Sequence, residues 1–192
     1  DNNGCESPRA ILKVTIHPNA IAKFTPQKNL FCPPFTITAA EIGLQEYPAN
    51  NSEYRWYVDG SYVGSGTVFP GFTLTAPNDS VTIKLVTNSL FGCKKDSMSY
   101  KFFTYKLPNP SFTLDNNDDC GPLSVLITNT TEDIGLYSYY WDFGNGQTST
   151  QVQPGTITFN TNPTYNDTTY FIKLKMLSEC DTITLTKSVH VS

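Results

Sequence analysis

Charge is scarce in this chain, at 16% of 192 residues, and histidine is scarcer, with only His17 and His190. Thirteen Lys and Arg stand against 17 Asp and Glu, giving a formal net charge of −4 and an isoelectric point near 5.1. Phosphate backbones require clustered cations, so nucleic acid is not an expected partner. No apolar run approaches the roughly 20 residues that span a bilayer, and the first residues lack the basic and apolar regions of a leader peptide. Membrane insertion is therefore not expected. Signatures of catalysis are missing as well: there is no G-x-S-x-G elbow, no H-E-x-x-H, no glycine-rich phosphate loop and no C-x-x-C pair. Asp59 and Asp142 fall in equivalent turns of different domains, whereas a working carboxylate pair lies within roughly 5 to 10 Å. Neither an enzyme nor a zinc site is expected.

What is present favours strands. Thirteen prolines and twelve glycines are scattered among short runs rich in Thr, Val, Ile, Tyr and Phe, a distribution that predicts an all-β protein. Tyr139-Tyr140-Trp141-Asp142-Phe143-Gly144-Asn145-Gly146 puts Tyr139, Trp141 and Phe143 on one face of a strand, and Asn145-Gly146 predicts a two-residue hairpin. Upstream, Tyr54-Arg55-Trp56-Tyr57-Val58-Asp59-Gly60 repeats the pattern and closes on Asp-Gly. The only two tryptophans mark two related units.

Cysteine spacing exposes that duplication. Cys5, Cys93 and Cys180 are 88 and 87 residues apart; Phe24 and Phe112 each follow a cysteine by 19 residues and precede Cys32 or Cys120 by eight. Phe35, Ile37 and Ala39 match Leu123, Val125 and Ile127 in phase, and Val81 to Leu85 matches Tyr170 to Leu174. The final strands run from Ser97 to Tyr105 and from Thr182 to Val191. Residues 18–107 and 108–192 thus form two domains joined by Pro108-Asn109-Pro110, a stiff linker that would set them end to end. Residues 1–17 read as the last strand of a preceding repeat, or as a linker strand, with donation to another chain's sheet edge as the alternative.

The early and late cysteines of each repeat are 61 and 60 residues apart. Equal loops predict equal intradomain bridges, Cys32 with Cys93 and Cys120 with Cys180, each adding roughly 4 kcal/mol on the loop-entropy model. Cys5 is left unpaired. Bridges in this number imply an oxidising, secreted or cell-surface location.

These residues resemble polycystic-kidney-disease-type (PKD) domains, immunoglobulin-like sandwiches that occur in tandem on cell surfaces. Cys120-Gly-Pro-Leu-Ser-Val, the Trp141-Asp142-Phe143-Gly144-Asn145-Gly146 turn and Tyr170-Phe-Ile-Lys-Leu look like the family's early strand, its W-D-F-G-D-G signature and its late strand. Asn145 replaces the usual aspartate. Trp56 to Gly60 is a looser copy, with Tyr57 in the aspartate's place. The cysteine-bearing form is similar to tandem repeats of secreted Bacteroidota proteins, including adhesins of gliding motility and type IX secretion. The resemblance implies a non-enzymatic extracellular module of a larger protein, a stiff spacer and adhesion or assembly segment whose partners are neighbouring repeats, other subunits or a surface glycan. The alternative is a carbohydrate-binding accessory segment of a secreted hydrolase.

Candidate residues follow from these patterns. Trp56, Trp141, Phe143 and Gly146 are expected as the core signature. Tyr57, Tyr62 and Tyr140 fall at outward phases and are candidate ligand-facing aromatics. Asp115, Asp118 and Asp119, in an oxygen-rich run, are candidate Ca²⁺ ligands, although such runs also favour solvated turns. Ser80, Ser97, Thr168 and Thr182 follow aspartates in triplets that resemble the Bacteroidota O-glycosylation motif. Asparagine sequons stand at Asn50, Asn78, Asn129 and Asn166.

Overall fold

The computed structural model describes residues 9–45, 47–161 and 167–192, so Cys5 and Asn166 lie outside the described residues. The chain is nearly all β. Its first repeat contains β1 (Phe24–Thr25), β2 (Leu30–Phe31), β3 (Phe35–Ile37), the short helix α1 (Ala39–Ile42) and β4 (Leu44–Gln45). There follow β5 (Asn51–Val58), β6 (Ser61–Ser65), β7 (Phe72–Leu74), β8 (Ser80–Ser89) and β9 (Asp96–Thr104). The second repeat contains β10 (Phe112–Leu114), β11 (Asp118–Asp119), β12 (Leu123–Asn129), β13 (Ser138–Asp142), β14 (Thr148–Ser149), β15 (Gly155–Phe159), β16 (Thr168–Leu177) and β17 (Thr182–Val191).

Each repeat builds a five-stranded sheet of one plan. The orders are β2-β9-β8-β5-β6 and β11-β17-β16-β13-β14, and in both a two-residue early strand pairs parallel with the end of the last strand. Smaller sheets oppose them: β1-β4 and β3-β7 in the first repeat, β10-β12-β15 in the second. The likeness extends to single bonds. Trp56 Nε1 donates to Gly66 O at 3.0 Å and Trp141 Nε1 to Gln151 O at 2.9 Å, each reaching a carbonyl ten residues on. Phe24 packs on Trp56 as Phe112 does on Trp141. Cis peptides precede Pro34 and Pro122 at matching places.

The described residues group into two compact units, one made of the stretch up to Asn29 with Thr36–Leu74 and Ser80–Phe102, the other of Leu30–Phe35, Thr75–Asp79 and Phe103–Ser192. Alternation supplies each core. β8 reads as a strict half-buried, buried series, placing Val81, Ile83 and Leu85 inward beside Trp56, Phe69 and Phe102. In the second unit Val125, Ile127, Tyr139, Trp141, Phe143 and Ile172 are among the residues closing one continuous core.

The disulfide scheme needs correction. Cys32 bonds to Cys180, with Cα atoms 5.3 Å apart, while Cys93 and Cys120 are free thiols. Strand geometry explains why neither expected pair forms. Cys32 follows β2, which lies beside the end of β9, whereas Cys93 precedes the start of β9; Cys120 and Cys180 flank opposite ends of β17 in the same way. At ~3.3 Å per residue those strands hold each expected pair about 30 Å apart, far beyond the roughly 7 Å that a disulfide tolerates.

Two smaller expectations also change. Ala39 does not extend β3 but opens α1, because Thr38 and Glu41 form a reciprocal capping box. Asn145-Gly146 is not a two-residue hairpin: Asp142 pairs with Thr148, Phe143 N donates to Gln147 O, and the positive φ angles fall at Gly144 and Gly146. Asp59-Gly60 does form that hairpin, with φ of 46° and 83° between paired Val58 and Ser61. Residues 9–17 form no strand, and Ile11, Leu12, Val14 and Ile16 are exposed.

Candidate functional site

The outward face of the first repeat's large sheet carries a groove. Tyr57 lies opposite Tyr62 in the β5–β6 hairpin and opposite Lys84 on β8. The two tyrosine rings meet edge to face with centroids 5.8 Å apart, and Tyr62 is 58% exposed. Tyr57, Gly60, Lys84, Val86 and Lys95 line a hollow of about 290 Å³. It continues into a second of about 350 Å³ bounded by Lys84, Val86, Lys94, Lys95, Asp96 and Ser97. Asp96 is occupied, since its Oδ2 accepts the Ala22 N–H at 2.9 Å. A glycine at position 60 leaves the rim open, with no atom within 4 Å of where a Cβ would stand.

Chemically the groove offers the Tyr57 ring, with Tyr62 packed against it, and three lysines lining it beside one engaged carboxylate. Rings of this kind stack on the apolar faces of sugars, and ammonium groups donate to hydroxyls or to anionic substituents. The sequence pointed to Tyr57 and Tyr62 but missed Lys84, Lys94 and Lys95. Lys84 was legible as an outward position of β8; the lysines before β9 needed the tertiary fold.

The other candidates are placed apart. Tyr140 is exposed on β13, opposite Lys175, and does not join the groove. Trp56, Trp141 and Phe143 are buried as expected, and Gly146 sits in the loop after β13 with positive φ. Asp142, at the place Tyr57 takes in the first repeat, accepts the Gly144 N–H at 2.9 Å and caps the loop. Ser97 and Thr182 are exposed, whereas Ser80 and Thr168 are half-buried at the starts of β8 and β16.

The acidic run before Cys120 is engaged in local hydrogen bonds. Asp115 Oδ1 accepts the N–H groups of Asn116 and Leu126, Asp118 Oδ1 meets His190 Nδ1 at 2.9 Å, and Asp119 accepts from Cys120 N and the Asn116 amide. The carboxylates serve local turns rather than one centre, and among the described residues no three His, Cys, Asp or Glu side chains converge to hold a metal.

Several solved structures are similar to parts or most of the chain. The chain is similar to the PKD1 domain from Vibrio cholerae metalloprotease PrtV, at 32% identity over 44% of this chain and 96% of that one, with a TM-score of 0.34. It is also similar to the PKD1 domain of Vibrio anguillarum Epp, at 30% identity over 45% and 95%, with a TM-score of 0.33. A Bacteroides ovatus mixed-linkage glucan utilization locus protein, SGBP-B, solved in complex with a mixed-linkage heptasaccharide, aligns at 13% identity over 98% of this chain and 48% of its own, with a TM-score of 0.29. No family model matches the chain, and the search of curated proteins gives no match. The chain is an all-β protein whose sheets are arranged as in a β-sandwich. None of its described helices is long and apolar enough to cross a membrane.

Proposed function

We propose that this chain is a non-catalytic PKD-type tandem module of a larger secreted or surface protein, serving as a stiff spacer and an adhesion or assembly segment. One observation carries the reading: two copies of a single strand plan, alike down to the tryptophan hydrogen bonds, with an early cysteine of the first copy bonded to a late cysteine of the second. A disulfide that closes over 148 residues suits an extracellular, oxidising setting and a mechanical task. Pulling on the two ends of the chain tests it. Little of the length beyond Cys32 is released while the bond is intact, and full extension before reduction would contradict the spacer role.

A second reading, a glycan-binding accessory segment, is favoured by the Tyr57–Tyr62 groove and its lysines. On a glycan array, binding that falls at least tenfold in Tyr62→Ala, with melting unchanged, supports it. Binding that survives Tyr62→Ala and Tyr57→Ala together removes this groove as the glycan site.

A further inference from the structure

The observed bridge defines a pairing rule, and the two free cysteines are the positions where that rule is left open. Cys32 and Cys120 occupy the same place in their repeats. Leu30 and Phe31 pair with Phe103 and Thr104, as Asp118 and Asp119 pair with His190 and Val191. Tyr105 N donates to Phe31 O at 2.9 Å, as Ser192 N does to Asp119 O at 3.1 Å. Each early cysteine thus stands just beyond the end of its own repeat's last strand. The late cysteines match as well, Cys93 just before β9 and Cys180 just before β17. The bond that forms joins the early cysteine of one repeat to the late cysteine of the next.

We propose that Cys120 and Cys93 are the open halves of head-to-tail disulfides to flanking repeats of the same kind in tandem. Cys120 takes the late cysteine of the repeat that follows, and Cys93 the early cysteine of the repeat that precedes.

A separate observation aims Cys93 at that role. Its Sγ lies 3.7 Å from the carbonyl oxygen of His17, and His17 stands 88 residues before Tyr105, the residue beside Cys32. Cys93 is therefore already held against the segment where a preceding repeat's last strand would end and its early cysteine would lie. Cys120 is exposed and Cys93 half-buried, so both thiols can be reached. The inference rests on the tandem-repeat half of the proposed function.

The chemistry closes by thiol–disulfide exchange with a low-molecular-weight disulfide such as oxidised glutathione. The Cys120 thiolate attacks it, forming a mixed disulfide and releasing one small thiol. The late cysteine's thiolate then attacks the Cys120 sulfur, the new S–S bond forms and the second small thiol leaves. Two cysteine thiols give up two electrons and two protons, and one small disulfide is reduced to two thiols.

A fusion tests the proposal. Ser192 occupies the position of Tyr105 and Pro18 that of Lys106, so residues 18–192 placed directly behind Ser192 keep the repeat spacing. The fusion carries Cys5→Ser, is oxidised with a glutathione redox buffer, alkylated and mapped without reduction. The expected map has Cys32–Cys180 in each copy and Cys120 of the first copy bonded to Cys93 of the second, leaving Cys93 of the first copy and Cys120 of the second alkylated. In a Cys120→Ser fusion, Cys93 of the second copy becomes alkylated. The proposal is overturned if all four of these thiols are alkylated while Cys32–Cys180 forms, or if Cys93 and Cys120 pair within one copy. Absence of Cys32–Cys180 itself would remove the pairing rule and overturn it too. A Cys120–Cys93 bond in a fusion whose solution scattering shows a collapsed rather than an extended particle would sink the spacer role alone.

Discussion

Thr87 is the residue whose chemistry is least explained by its surroundings. It is fully buried in β8, and its Oγ1 has no hydrogen-bond partner among the described residues. A buried hydroxyl without a partner keeps its desolvation cost, of the order of 1 to 3 kcal/mol. Thr87→Val removes the hydroxyl and keeps the branched shape, so the variant should melt at the same temperature or a few degrees higher. A fall of several degrees in calorimetry would show that Oγ1 is satisfied after all. The tryptophans carry the opposite lesson. Their faces were legible from the alternation at Tyr54 to Val58 and Tyr139 to Phe143, but their indole partners, Gly66 and Gln151, lie on loops with no sequence signal.

At the scale of elements, α1 is the feature that strand periodicity could not reveal. Phe35, Ile37 and Ala39 alternate like a strand, yet Thr38 and Glu41 are spaced as a capping box, and local hydrogen bonds win over the period. The Glu41 carboxylate accepts the Thr38 N–H at 2.8 Å and the Thr38 hydroxyl at 2.6 Å. The Thr38 hydroxyl first, and the backbone N–H second, hold its carboxyl below the usual range. A lowered folded-state value contributes stability that is present above the unfolded-state value and lost as pH falls through the folded one. Glu41→Gln should therefore lower stability at neutral pH and flatten the acid limb below about pH 4.5, so that variant and parent converge in acid. An unchanged acid limb in chemical denaturation would contradict this.

Element order also explains the disulfide error. Equal loop lengths show which cysteines correspond between the two halves of the sequence. Loop length says nothing of which end of a strand a cysteine occupies. Only the parallel pairing of β2 with β9, and of β11 with β17, puts the early cysteines at the far end from the late ones of the same repeat. The groove was half legible for a similar reason: Tyr57 and Tyr62 follow from a hairpin, whereas Lys95 arrives from a turn remote in sequence.

At the scale of the whole molecule, duplication and bridge together define the mechanical account. Cys32 and Cys180 close a loop of 148 residues, so tension applied at the two ends passes through the bond and bypasses the strands between them. The measurement that tests this most directly is single-molecule pulling on the chain, first oxidised and then in reductant. With ~3.5 Å of contour per residue, the bond should hide about 500 Å of chain. This length should be missing from the oxidised extension and be released when reductant is added. Equal contour lengths in the two conditions would contradict it.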